Sequence, residues 1–411
     1  MNNIYQILLD KIFRKQSQIS DWFFDKSSNV NLHFYNSVDI RHFGHKIAPV
    51  DNNCFPAGFN HLSGESKKIA SQKAKEYLNH NFPKIQKILI LAESHTKNLK
   101  YLENVLSIQN IIQNAGYEVQ IANLNIEIAD ILEIDLEDNK KIKINKIIRK
   151  NDRITTLNGF DPDLIISNND FTDGVNDILK NIEQKIIPSP YFGWFARSKA
   201  EHFKQYNLLA KEFANLIDID PWLISTKFDV ATGLNFKQQI GIDDLVIKTA
   251  NILKELQEKY QQYQINSDPY CFIKADNGTY GMAIMNVSSA DELVALNKKN
   301  RNKMNMLKGN IQNHKVIIQE GVPTIDRIKG FNAEPMIYMI NGQIIGNLFR
   351  YNESRDERNN LNSGTMQFSD LNILNNSDIE VGAARQDIIK IYEIIAKIST
   401  IASAMEKYLR N

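Results

Sequence analysis

Apolar and polar positions follow two different periods along this chain, and the switches between them outline its elements. Ile4, Leu8, Ile12, Ile19, Trp22 and Phe23 recur near helical spacing, which predicts a helix over residues 1 to about 25. Residues 38–62, VDIRHFGHKIAPVDNNCFPAGFNHL, keep no clean period and suit neither helix nor strand. Polar groups held among prolines, glycines and aromatics read as a rigid functional loop or as a plain connector, and both readings stand at this point. From residue 86 the pattern becomes regular: QKILILAES reads as a buried strand, TKNLKYLENVLSIQNIIQNAG as a helix closed by Gly116, and YEVQIANL as the next strand. A continuous apolar strand followed by a crossover helix predicts a parallel sheet with helices on its faces. DLIISNND is a further strand, and ILEIDLEDNKKIKINKIIRK reads as an inserted hairpin with solvated charges. Residues 198–265 are mainly helical, 270–368 return to strands, and a final helix carries Ile388, Ile391, Tyr392, Ile395, Ile398, Ala402 and Met405 on one core-facing side.

Size and charge narrow the classes. With 411 residues the chain exceeds one small domain and predicts two or three packed units. Lys+Arg of 49 against Asp+Glu of 48 leaves no electrostatic footprint for nucleic acid or an acidic membrane. Two distant cysteines, Cys54 and Cys271, exclude a disulfide framework or a Cys-based zinc ribbon, and Cys54 reads as a small buried residue. Asp10 and Lys11 interrupt the only apolar run near the N-terminus, which excludes a signal peptide, and no stretch reaches the roughly 18 uncharged apolar residues of a membrane span. The expectation is a soluble cytoplasmic protein.

Candidate chemistry lies at strand ends and in the 270–368 region. Ligands of parallel sheets bind beyond the carboxyl ends of strands, where Ser94, His95, Thr96 and Asp170 fall. There is no GxxxxGK[ST], strand-borne GxGxxG, HExxH or GxSxG motif, and the eight histidines form no trusted ligand spacing. His42 and His45 read as a surface pair. YCFIKADNGTYGMAIMNV is strand, glycine turn, strand: Lys274 ends the first strand, and Gly278 and Gly281 bracket Thr279 and Tyr280. Such a turn lets backbone N–H groups approach phosphates, with a lysine supplying charge. KVIIQEGV ends in Gln319, Glu320, Gly321 and Val322, a segment suited to hydrogen-bonding an adenine and a ribose. A hairpin turning at Asn341–Gly342 has Glu334 entering and Arg350 leaving, followed by Asp356, Glu357, Arg358 and Asn360. Carboxylates with an Asn carbonyl are hard ligands suited to Mg²⁺, and arginines beside them clamp a phosphoryl group. The bland alternative for RDERNN is a charged surface loop.

In this order the three blocks resemble the nucleotide-binding half of the ATP-grasp superfamily, and the last resembles that of bacterial glutathione synthetase. Glu334, Arg350, Asp356, Arg358, Asn360, Leu361 and Gly364 sit at matching places, with Thr365 where a second glycine is usual. Over nearly the whole chain, the segments FPAGFN, ESHT, GWFARSK, ADNGTYGM, IIQEGVPT and LNSG resemble the glutamate–cysteine ligases of proteobacterial type.

The resemblance implies an α/β fold of α+β lobes, ATP-grasp-like, preceded by a parallel-sheet domain. Residues 1–85 would contribute to the substrate site, 86–197 form the substrate domain and 198–411 bind nucleotide and metal. It implies ATP-dependent joining of the glutamate γ-carboxylate to the cysteine amine through γ-glutamyl phosphate, the first step of glutathione synthesis, with glutamate, cysteine and ATP as small-molecule partners. Lys274, Thr279, Tyr280, Gly281, Gln319, Glu320 and Val322 would hold ATP, and Glu334, Asp356 and Asn360 would hold Mg²⁺. Arg350 and Arg358, with Lys274, would neutralise developing charge, and Asp51, Asn53, Ser94, His95, Thr96 and Asp170 would face the amino acids. Another ATP-grasp carboxylate–amine ligase and a non-catalytic nucleotide-binding protein are the alternatives.

Overall fold

The strand–helix–strand unit expected after residue 86 forms a parallel sheet: Lys87–Ala92 lies between Glu118–Asn123 and Leu164–Asn168, with the Leu99–Asn114 helix as crossover. The computed structural model describes residues 4–94, 97–125, 130–277, 283–306, 312–373, 379–380 and 385–406. The expected hairpin also forms, from Ile131–Asp135 and Lys141–Lys150. Its second strand is more than an appendage, because it pairs in parallel with Glu118–Asn123 and widens the sheet. The result is a mixed α/β protein, with three sheets among the described residues.

A four-stranded antiparallel sheet orders Phe228–Thr232, Lys315–Glu320, Cys271–Ala275 and Ile284–Val287. Its core joins Ile273, Val316 and Ile318 to Leu245, Ile252 and Leu256 of the Ile242–Gln262 helix. The third sheet lies at the centre. Its path runs Met366–Asp370, Gln343–Asn352, Phe331–Ile340, Tyr35–His42, Ile47–Asn53, all antiparallel. The Asn341–Gly342 turn closes as the sequence predicts, with φ of +50° and +68°, the geometry for which Asn-Gly is favoured.

Residues 35–53 are the main departure from the sequence reading. They form two strands rather than a loop, and the first pairs with Phe331–Ile340. The local alternation supports this, since Val38 and Ile40 turn toward the core shared with the Arg385–Met405 helix while Asp39 and Arg41 turn the other way. That core includes Ile388, Ile391, Tyr392, Ile395, Ile398 and Ala402, as expected, but Met405 is exposed. The N-terminal helix is two, Ile4–Arg14 and Gln16–Ser28. His42 is no surface residue: it is buried, with Nδ1 3.1 Å from Asp326 Oδ1 and 3.0 Å from the Tyr392 hydroxyl. Cys54 and Cys271 are free and buried. Among the described residues, no helix is long and apolar enough to cross a membrane.

Gly321 follows the Lys315–Glu320 strand, donating its N–H to the Tyr270 carbonyl at 2.7 Å. A Cβ there would stand 2.3 Å from the Tyr270 ring. Gly321→Ala is therefore expected to cost about 1–3 kcal/mol of stability through overpacking, read as a lowered urea midpoint with an unchanged slope.

Candidate active site

Side chains alternate across a strand, so one face of the central sheet can be apolar and the other charged. The charged face floors a cavity of about 400 Å³ lying where the three sheets meet. Ser37, Asp39, Arg41, Asp51, Asn53, Glu334, Met336, Arg350 and Phe368 line this floor. Glu334 and Arg350 are direct cross-strand partners, and so are Asp39 and Asp51. Phe272, Lys274 and Ile284 from the four-stranded sheet, with Val322 just beyond it, form one wall. Opposite are Glu93, Asn168 and Asp170 at the ends of the parallel strands, together with Tyr101. Trp194, Lys199, Asn360 and Asn362 also line the cavity.

The floor is held by a buried ion cluster. Arg350 Nε donates to Glu334 Oε1 at 2.7 Å, its Nη2 reaches Glu334 and Asp39, and Arg41 Nε bonds the other Glu334 oxygen. Arg41 also donates to the carbonyls of Glu357 at 3.0 Å and Asn359 at 2.9 Å, which fixes the loop carrying Asn360. Burial raises the Glu334 pKa, but Arg350 and Arg41 outweigh it and hold the carboxyl below its ordinary value. Asp39 goes the other way: burial, with the negative charges of Glu334 and Asp51, pushes it up against the pull of Arg350. Asp51 stays low despite burial because Lys199 and Lys274 face it, with Lys199 Nζ 2.8 Å from Oδ1. Lys199 also lies over the Trp194 ring, 4.1 Å from its centroid. Lys274 donates to Gln319 Oε1 at 2.9 Å and to the Val50 carbonyl at 3.3 Å. Burial, helped by Lys199 and Arg41, brings its pKa down to about 8 against the opposing pull of Asp51 and Glu334.

Of the residues singled out from sequence, Asp51, Asn53, Asp170, Lys274, Val322, Glu334, Arg350 and Asn360 meet in this one cavity. Gln319 stands behind Lys274 as its acceptor. Glu320 is not among the lining residues. Its buried carboxylate accepts from Lys46 Nζ at 2.7 Å, Trp222 Nε1 at 3.0 Å and the Lys227 N–H at 2.9 Å. Asp356 accepts the Arg358 N–H at 3.0 Å on the exposed loop, and the Arg358 guanidinium lies 4.4 Å over the Tyr270 ring, so neither lines the cavity. Ser94 is exposed outside it. His95, Thr96, Thr279, Tyr280 and Gly281 lie outside the described residues.

The sequence reading assigned no site role to Asp39, Arg41, Lys199 or Trp194, although Asp39 and Arg41 lie in the segment it weighed as a functional loop. The alternation Val38-Asp39-Ile40-Arg41 was the available signal for the first two. Trp194 and Lys199 lie in the GWFARSK segment, but the pairing of Lys199 with Asp51 depends on meeting a strand almost 150 residues away.

Oxygen donors suited to a divalent cation are present, though not in the expected trio. Both Glu334 oxygens are taken by arginines, and Asp356 is elsewhere. Asp39 and Asp51 instead stand directly opposite each other, a repulsive arrangement in a sheet unless positive charge offsets it. Among the described residues each keeps one carboxylate oxygen without a hydrogen-bond partner. No three His, Cys, Asp or Glu side chains among those residues group as a metal cage.

The sequence matches the family model GshA, glutamate-cysteine ligase, over residues 10–407. The chain belongs to the glutamate–cysteine ligase family. A solved structure from Methylobacillus flagellatus KT, whose name as a gamma-glutamylcysteine synthetase is provisional, is 34% identical with a TM-score of 0.90, covering 98% of this chain and 96% of that one. A glutathione synthetase-like effector from Globodera pallida is 8% identical over 85% of this chain and 79% of its own, and its TM-score of 0.36 carries no argument. No curated protein matches the sequence. Both the family and the Methylobacillus structure support glutamate–cysteine ligase activity for this chain.

In this ligase-family protein Glu334 is bonded to two buried guanidinium groups, and Asp39 shares one of them. Glu334→Gln is expected to destabilise it by about 3–5 kcal/mol, because the arginines stay buried without their counter-charge. Since the folded carboxyl lies below its ordinary value, the wild-type contribution is present above that value and is lost as pH falls through the folded one. Denaturant titrations of both proteins at neutral and acid pH check this, and the difference between them should shrink in acid.

Proposed function

We propose that the cavity joins the γ-carboxylate of glutamate to the amino group of cysteine at the expense of ATP, with release of ADP and phosphate. The single observation that carries this reading is the convergence of Lys274, Lys199, Arg350 and the Asp39–Asp51 pair on one cavity at the meeting of three sheets. An ATP-grasp-like division of labour follows, with nucleotide between the four-stranded sheet and the central sheet and amino acids toward the parallel strand tips.

A carboxylate resists an amine because it is negatively charged and its leaving group would be oxide. In the first step a γ-carboxylate oxygen attacks the terminal phosphorus, the bond to the bridging oxygen breaks, and ADP leaves. The cysteine nitrogen then attacks the acyl carbon, the carbon–oxygen bond to phosphate breaks, and one proton is released from the amine. Positioning and charge neutralisation are the protein's share. Lys274 and Lys199 offer ammonium charge to phosphate oxygens. Arg350 keeps Nη1 without a protein acceptor among the described residues, and this group faces the acyl phosphate and the tetrahedral oxyanion. Asp170 and Asn53 remain the candidates for glutamate. Asp39 and Asp51, with the Asn360 carbonyl, would hold Mg²⁺, which commonly takes one or two carboxylates and completes its shell with waters and phosphates. When bound, that ion neutralises the triphosphate.

Incubation with ATP, Mg²⁺, glutamate and cysteine is expected to yield ADP, phosphate and γ-glutamylcysteine, with hydroxylamine trapping a γ-glutamyl hydroxamate when cysteine is omitted. Phosphate release with a dipeptide as carboxylate donor and an amino acid as acceptor, and none with glutamate and cysteine, would select a different carboxylate–amine ligase. Lys274 supplies a pH test. With its pKa near 8, its charge is lost above that pH, so ADP affinity should fall there, and Lys274→Arg should keep affinity into more alkaline solution. The stability effect has the opposite sign. The folded value lies below 10.5, so the unfolded chain binds more protons and this group's contribution rises between about 8 and 10.5. Calorimetric ADP titrations across this range check the affinity limb.

A further inference from the structure

Asn52 lies between two cavity residues, Asp51 and Asn53, and strand alternation sends its side chain to the opposite face. There it enters a closed ring of five buried side chains. Arg197 Nη2 donates to Asn52 Oδ1 at 3.0 Å and to Glu406 Oε1 at 2.8 Å. The same Glu406 oxygen lies 2.8 Å from His202 Nδ1, His202 Nε2 lies 3.1 Å from Ser399 Oγ, and Asn52 Nδ2 donates to Ser399 Oγ at 3.1 Å. Arg197 adds two further bonds, from Nη1 to the Asn52 carbonyl at 2.7 Å and from Nε to Glu406 Oε2 at 3.0 Å. All five residues are at most 6% exposed. The arginine and histidine hold the Glu406 carboxyl down at about 2 despite its burial, so the ring stays charged.

The position of this ring is unusual for a merely structural network. Among the described residues, Ile47–Asn53 ends the path of the central sheet and has a strand neighbour on one side only. The free edge of such a strand frays unless something else takes its backbone groups. Here the guanidinium takes the carbonyl of Asn52, between the two side chains that face the cavity. The segment of Arg197 also leads directly into Lys199, which bonds Asp51 on the other face. The ring thus grips the same strand from behind that substrate and cation would meet from the front. Two other elements are joined to it, the start of the Lys199–Ile217 helix through His202 and the end of the Arg385–Met405 helix through Ser399, with Glu406 just beyond.

We propose that Glu406 is a positioning residue: acting through Arg197 and Asn52, it sets the cavity-facing Asp51 for Mg²⁺-nucleotide binding. The inference rests on the ligase reading for the identity of the ligand, but it is tested by binding. Groups that orient a metal ligand from behind typically cost 10–100-fold in metal affinity when altered. Glu406→Gln is expected to weaken binding of Mg·ADP, measured by calorimetry, by at least about tenfold, and to raise KM for ATP with a smaller change in kcat. Ser399→Ala opens the ring without removing a charge and is expected to produce a smaller shift in the same direction, which keeps the test available should Glu406→Gln fail to fold. Tyr392→Phe, on the same helix and bonded to Asp326 instead, serves as the stability control. It should lower the thermal midpoint and leave Mg·ADP binding unchanged. The proposal is overturned if Glu406→Gln or Ser399→Ala folds and binds Mg·ADP as the wild type does. Absence of γ-glutamylcysteine from the wild-type reaction would instead defeat the ligase reading, while the calorimetry would still decide this one.

Discussion

Glu334, clasped between Arg41 and Arg350, is the interaction on which the site depends. Three ionised groups are almost fully removed from water in the middle of a sheet, an arrangement that costs several kcal/mol per ion unless each finds its partner. The cluster solves this by drawing its members from three adjacent strands. Arg41 comes from residues 35–42, Glu334 from 331–340 and Arg350 from 343–352, so the charges are satisfied only when the N-terminal strand lies beside the C-terminal hairpin. Folding the sheet and assembling the floor of the cavity are then the same event. Arg41 extends the effect to the loop of Asn360 by holding two of its carbonyls.

Around that floor, charge is graded. Asp39, on an inner strand, and Asp51, on the last strand of the sheet path, are paired less completely than Glu334, while Lys199 and Lys274 approach from other elements. Lys199 is bonded to Asp51, whereas Lys274 is bonded to neutral oxygens of Gln319 and Val50. The ring behind Asn52 belongs to the same economy of constraint: a rigid strand carries the mobile chemistry on one face because a charged network restrains it on the other.

Much of the local structure was readable. Long stretches of one period, such as the parallel-sheet unit after residue 86 and the Asn341–Gly342 hairpin, formed where the residues placed them, because buried periodicity and turn chemistry act over short distances. Eight of the candidate site residues also came together in the cavity. Glu320 and Asp356 did not, for a simple reason. A carboxylate at a strand end or in a polar loop looks the same in sequence whether it faces a ligand or a neighbouring lysine, and here Lys46, far along the chain, claims Glu320.

By itself, then, the sequence determined the elements with strong periodicity, the near balance of basic and acidic residues, and through its ordered blocks the family. Only the tertiary structure decided that residues 35–53 are strands, that Asp39 and Arg41 belong to the site, and that Glu334 is neutralised rather than free. The physical reason is distance along the chain: each of these outcomes involves a partner about 300 residues away, and strand register, which chooses the face every side chain takes, exists only once those partners have met.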